Sequence, residues 1–262
     1  MNARSLLAAL LLALTLATAQ AGQTCDAKPP QARSVQQAME LAAATARALD
    51  ASGARVVVLA RAGQDLSKYR LRWSHLGLAY RDDSGPQPRW RIVHKLNSCG
   101  SAVAALYRQG LGEFFLDDLH EYQAAYAVPT AEVQARLLPV LQDNTRAARL
   151  HTPAYNMVAY PWALRYQQSN QWAIETLAMA QEPAATTRDR AQAWLRLQGY
   201  EPTVLRISPL VRLGARVSAA NVAFDDHPDD KRYSDRIETV TADSVFDWLQ
   251  RSALAGPPLQ VR

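Results

Sequence analysis

Cysteine is almost missing from this 262-residue chain, which holds only Cys25 and Cys99. A scaffold held by many disulfides in place of a hydrophobic core is therefore excluded. Long apolar runs are missing too. The run from Leu6 to Ala19 is shorter than the about 20 residues a spanning helix needs, and no later stretch approaches it. Basic blocks are absent: of 29 basic residues only Lys28, Lys68, Lys95 and Lys231 are lysines, and the arginines are scattered singly. A net charge of +5 without a polybasic run argues against nucleic acid as a partner. No internal repeat or low-complexity tract interrupts the chain. What is present, 48% hydrophobic and 20% charged residues, belongs to a globular protein with a sizeable core.

The N-terminus has the layout of a signal peptide: Arg4, the apolar run Leu6 to Ala19, and small residues at Ala19 and Ala21. Cleavage is expected after Ala21, with no transmembrane segment left once it is removed and a periplasmic or secreted destination. Export into an oxidising compartment favours a bond between Cys25 and Cys99, stabilising by about 2 to 4 kcal/mol. The competing reading makes Cys99, in Asn97-Ser98-Cys99-Gly100, a free nucleophile ahead of a helix.

Ser34 to Leu49 reads as an amphipathic helix ended by Gly53, with Ser34 and Gln37 in capping-box spacing. Strand-like runs follow at Val56 to Ala60, Trp73 to Tyr80 and Trp90 to Leu96, an antiparallel meander. Ser101 to Leu141 reads as helical, with Thr130 as a cap. Further helices are expected from Ser169 to about Gln181 and from Thr187 to Gly199. Strands are expected at Thr203 to Ile207, Val211 to Phe224 and Arg236 to Val240, and a last helix is capped by Thr241. The expected architecture is α+β: residues 1–21 a signal peptide, 22–200 a core of antiparallel sheet packed against helices, and 201–262 C-terminal strands and helix completing the same domain.

Alternation sets His75 and Gly77 on one face of their strand and His94 on one face of the next. A turn centred between Ser84 and Gly85 puts His75 directly opposite His94. Gly77 leaves room on that face for another element, and the expected visitor is the helix opened by Ser169. A hydroxyl at a helix start beside an oriented imidazole is the layout of nucleophilic catalysis on a carbonyl. Helix capping by Ser169 is the alternative. Asp225, Asp226, His227, Asp229 and Asp230 raise a cation site, but their spacing fits no EF-hand loop and a solvated turn competes. Asp117, Asp118 and His120 read as an acid pair or as a helix start. Tyr160, Trp162 and Tyr166 read as a groove lining or as packing.

The runs Leu96-Asn97-Ser98-Cys99-Gly100, Gly110 to Asp118, Tyr166 to Trp172 with Glu175, and Ala223-Phe224-Asp225-Asp226-His227-Pro228 resemble the exported bacterial family catalogued as domain of unknown function twenty-one forty-five. That family brings no established activity. More distantly, Ser74-His75-Leu76-Gly77-Leu78 resembles the His-x-Gly strand of circularly permuted papain-like amidases, the NlpC-type and lecithin:retinol-acyltransferase-like proteins. That resemblance implies a permuted papain-like sheet with His75 as base, His94 as orienting residue and Ser169 at the nucleophile position, where the pattern has Cys. Two functions follow as expectations. One is an exported hydrolase or acyltransferase acting on an amide, ester or thioester through Ser169, His75 and His94. The other is an inactive fold binding a small or peptide-like envelope ligand. Neither requires a cofactor or metal.

Overall fold

The structure is a computed structural model that describes residues 31–98 and 100–262, without the side chains of residues 216–218. The expected Cys25 to Cys99 bond and the signal segment lie outside the described residues. Helix α1, Ala32–Ala51, buries Ala38, Leu41, Ala42, Thr45 and Leu49 along one stripe. It starts from Gln31, ahead of the expected Ser34, with no side-chain cap. It is followed by Gly53 at φ +67°, a left-handed conformation that glycine adopts without strain.

Strands β1 (Val56–Ala62), β2 (His75–Asp82), β3 (Arg89–Asn97) and β4 (Ala104–Gly110) form the expected meander and extend it by one strand. With β5 (Glu121–Ala127) and β8 (Leu259–Val261) they make a six-stranded sheet in the order β4-β3-β2-β1-β5-β8, every pair antiparallel. β1 is buried along its whole length, as an interior strand covered on both faces must be. Pairing of β8 with β5 makes the last residues of the chain part of this sheet.

The helical expectation for Ser101 to Leu141 holds only in part. Helix α2 (Leu111–Phe115) is one short turn between β4 and β5, and helix α3 (Ala131–Gln142) begins at the expected cap, where Thr130 accepts from the Val133 N–H. β4 and β5 are Ala-rich segments of fair helix propensity, and pairing with β3 and β1 overrides that preference. After α4 (Asn144–Ala148) come α5 (Ser169–Gln181) and α6 (Arg188–Leu197). The final α9 (Ala242–Arg251) carries a Thr241/Ser244 capping box.

The C-terminal part adds a two-stranded sheet, β6 (Thr203–Arg206) with β7 (Arg236–Thr239), plus α7 (Pro209–Ser218) and α8 (Asp229–Arg232). The strand expected across Val211 to Phe224 is thus corrected to a helix up to Ser218 followed by an irregular segment through Phe224. Val211, Leu213 and Ala215 alternate like a strand, but Pro209 at the first turn presets the helical φ.

Three apolar clusters hold the fold. One face of the large sheet, with Val58, Leu76, Leu78 and Val93, packs on α3, α5, α6 and α9 through Leu137, Trp172, Ile174, Leu177, Leu195 and Trp248. The opposite face, with Val57, Leu59, Ala79 and Ile92, packs on α1 and α2 through Leu41, Leu49, Phe114 and Phe115. A smaller cluster of Leu205, Ile207, Ala215, Phe224 and Ile237 joins the second sheet to α7. Among the described residues no helix is long and apolar enough to cross a membrane.

Candidate functional site

The β2/β3 hairpin pairs Leu78 with Val93 and Asp82 with Arg89, two residues out of the register expected from sequence. Asp82 explains the difference. Its carboxylate accepts from the Ser84 N–H and hydroxyl and pairs with Arg89 at 3.4 Å. The hairpin therefore closes at Asp82 and Arg89, leaving residues 83–88, with both prolines, as the loop. A two-residue shift preserves side-chain parity, so His75 and His94 still share a face, as diagonal neighbours. Continued register sets Gly77 across from His94.

The two imidazoles are bonded directly, His75 Nε2 to His94 Nδ1 at 2.9 Å, and His94 Nε2 lies 2.7 Å from Gln109 Oε1 on β4. Gln109 Oε1 can only accept, so His94 Nε2 carries its proton, His94 Nδ1 accepts, and His75 Nε2 donates. Burial, then the Arg61 guanidinium, holds His94 down at about 4. Burial, then Arg61 and then His94, holds His75 well below the ordinary histidine value. Both rings are therefore neutral at physiological pH. The remaining lone pair sits on His75 Nδ1, which makes no hydrogen bond among the described residues.

Phe114 on α2 closes this site from above, its ring centre 5.9 Å from that of His75 and 5.2 Å from that of His94. The element that uses the space above Gly77 is therefore α2. A Cβ at Gly77 would overlap Ile92 Cγ2 and lie 3.2 Å from Phe114 Cε2. Arg61, buried beside the pair, donates to the Phe114 carbonyl and to Asp117. Asp117 is thus held by an ion pair, and its neighbour Asp118 takes a left-handed φ of +40°. His120 stands 4.0 Å from Asp65 at the surface.

Ser169 belongs to the helix on the other face of the sheet. Gln168 is the N-cap of α5, its side chain accepting from the Asn170 N–H. Ser169 is therefore the first helical residue. It is buried, its hydroxyl faces the Tyr155 phenol, and it makes no hydrogen bond to either histidine. The helix start approaches β2 through Asn170, whose Oδ1 accepts from the Leu76 N–H at 2.8 Å. There β2 has splayed from β3 and the backbone donor has no strand partner. Of the three residues expected to act together, the fold brings His75 and His94 into contact and engages Ser169 elsewhere.

Polar residues around Ser169 build a second buried network. Lys95, fully buried, donates to the carbonyls of Thr152 (2.6 Å) and Gln167 (2.7 Å) and to Gln167 Oε1 (3.0 Å). Burial first, then Arg188, pulls its ammonium down to about 7 against the upward pull of Glu175. Glu175, without exposure, accepts from Arg188 Nε (2.8 Å) and Nη2 (3.1 Å), Gln167 (2.6 Å) and Gln192 (2.7 Å). Arg188 also donates to the carbonyls of Ala163 and Leu164, so the network ties the segment 149–168 to α5 and α6.

Asp226 and His227 are likewise used inside the fold. His227 Nδ1 lies 3.0 Å from Asp226 Oδ1, His227 Nε2 lies 3.0 Å from the Glu238 carbonyl, and Asp226 Oδ2 accepts from the Tyr160 N–H. Asp225 pairs with Arg165 at 2.8 Å. Among the described residues no group of three or more His, Cys, Asp and Glu side chains is placed to hold a metal ion. The aromatic residues near Pro161 pack: Trp162 lies 6.0 Å from Tyr200 and Tyr160 5.1 Å from His227, ring centre to ring centre.

Sequence reasoning missed Gln109, Arg61 and Lys95. Gln109 gave no signal, because its strand reads as helix. Lys95 had one: a lone cation at an apolar-phase position two residues from Val93.

No curated protein and no solved structure matches the chain, so the papain-like resemblance finds no support there. Residues 48–249 match the family described as "Uncharacterized protein conserved in bacteria (DUF2145)". That span takes in strands β1 to β5, both polar networks and the Asp226–His227 clasp, and the chain belongs to this DUF2145 family.

Proposed function

We propose that this protein is an exported, non-catalytic member of DUF2145 that binds a peptide or glycan fragment of the cell envelope. One observation carries the reading: Ser169 opens α5, which packs on one face of the sheet, whereas His75 and His94 lie under Phe114 of α2 on the other. A serine hydroxyl needs a base within about 2.6 to 3.2 Å or one water. A helix start alone does not ionise it. The ligand site in this reading is the open cleft of about 700 Å³ lined by Glu201, Thr203, Ser244, Asp247, Gln250 and Arg251. Carboxylate, amide and guanidinium groups there suit the hydroxyls and amides of such a fragment. Export rests on the apolar run Leu6 to Ala19 and the small residues before Gly22.

Titration with soluble muropeptides, followed by NMR or calorimetry, tests the reading. Saturable binding that an Asp247→Ala, Gln250→Ala double variant loses and Ser169→Ala retains supports it. Turnover of any amide, ester or thioester by wild-type protein, abolished in Ser169→Ala, overturns it. A second reading, a hydrolase, is favoured by one specific feature, the lone pair left on His75 Nδ1 by the His94–Gln109 chain. In that reading His75 takes a proton from a water or a nucleophile other than Ser169, and His75→Gln alone abolishes turnover.

A further inference from the structure

Helix α7 is amphipathic in the reverse of the usual sense. Arg212 and Ala215 turn inward. The Arg212 guanidinium lies 5.9 Å from the Phe224 ring centre and donates to the Arg232 carbonyl. Leu210 and Leu213 turn outward, 82% and 63% exposed, with Val211 on their flank at 42%. The carbonyl that Arg212 holds precedes Tyr233, which is 72% exposed with the Arg232 guanidinium 5.5 Å from its ring centre. Residues 203–218 contain no acid, and Arg206 is exposed at the approach to the helix.

We propose that this face is a peripheral membrane-docking surface, laying Leu210, Leu213 and Tyr233 into the headgroup–acyl boundary of an anionic bilayer. It is separate from the cleft discussed above and does not depend on it. Area argues for lipid over a second copy of the chain. A ten-residue helix is about 15 Å long and about 10 Å wide, far below the about 800 Å² per partner of a stable protein interface. A bilayer needs no shape complement and accepts single leucines, with tyrosine at headgroup depth. Charge argues the same way: Arg206 is exposed four residues before Leu210, and the Arg232 guanidinium stands against the ring of exposed Tyr233. Asp235, 3.4 Å from Arg206, and the acids Asp229 and Asp230 of α8 offset part of that attraction. Docking is accordingly reversible and weakened by salt.

Hydrogen exchange of the peptide covering residues 208–219 tests this locally, on full-length protein as isolated from its cells and whatever the N-terminal segment does. Vesicles of phosphatidylethanolamine with phosphatidylglycerol should slow exchange there at least about tenfold. Phosphatidylcholine vesicles should slow it less, and a Leu210→Glu, Leu213→Glu variant should show no slowing. The variant is expected to fold, since both side chains already face solvent. Unchanged exchange with anionic vesicles overturns the proposal, as does equal protection of the variant. Protection that appears on raising protein concentration without lipid also overturns it, and assigns the face to a second copy.

Discussion

The two faces of the large sheet each bury a polar cluster, and the clusters are finished differently. Beneath α5, Lys95, Gln167, Glu175, Arg188 and Gln192 exchange hydrogen bonds until the ammonium has three acceptors and the carboxylate four contacts. Beneath α2, the run Gln109–His94–His75 stops at a nitrogen that makes no bond among the described residues. A closed network holds a segment in place, because any lost member strands a buried partner. An open one retains a group capable of taking a proton. In the proposed reading the Ser169 side is architecture, and the group able to take a proton lies on the histidine side.

Removing one cation from each face sharpens that contrast. Arg188→Met leaves Glu175 buried and unpaired, an expected loss of about 3 to 5 kcal/mol in urea unfolding. Arg61→Met removes the ion-pair partner of Asp117, whose side chain is already 33% exposed, and should cost about 1 to 3 kcal/mol. The reverse order would break the comparison.

Acid should attack the histidine face. His94 is held at about 4 against an ordinary 6.5, so below pH about 6.5 the unfolded chain binds the proton more readily. Stability is complete above that pH and falls as pH drops toward 4, by up to about 3 kcal/mol. A His75→Gln, His94→Gln variant should lose the His94 share of this slope in denaturant midpoints measured between pH 7 and pH 4.5, leaving that of His151, which burial also holds at about 4. An unchanged slope would place the acid sensitivity elsewhere.

Gly77→Ala probes the closeness of α2 to the sheet. The new methyl would overlap Ile92 and press on Phe114, and an expected loss of about 1 to 3 kcal/mol follows from overpacking. Thermal melts that match wild type would mean α2 shifts freely.

Much of this was legible in the sequence, for reasons particular residues show. The meander and the shared face of His75 and His94 follow from period-two alternation, which survives a register error of two. The start of α5 and the Thr130 and Thr241 caps follow from local chemistry. The strands β4 and β5 were not legible, because Ala104-Ala105 and Ala124-Ala125 prefer helix until neighbouring strands pair with them. Nor was the face of α5: Gly77 announced a close approach without saying by which element. Glu175 and Gln167 are recognisable as family residues, yet their role depends on Lys95 from a strand some seventy residues away.

Smallest in energy, Ser169→Ala should cost about 1 kcal/mol through its lost contact with Tyr155 and leave ligand binding intact. The most direct test of the central claim substitutes a thiol at the same position. In Ser169→Cys, iodoacetamide labelling across pH, read by mass spectrometry on the peptide containing residue 169, gives that thiol's own titration. A group facing Tyr155 with no imidazole beside it should react slowly and titrate at or above about 8.5. A thiolate formed near neutral pH, reacting faster than a surface cysteine and losing that speed in His75→Gln, would put Ser169 in reach of His75 and contradict the account.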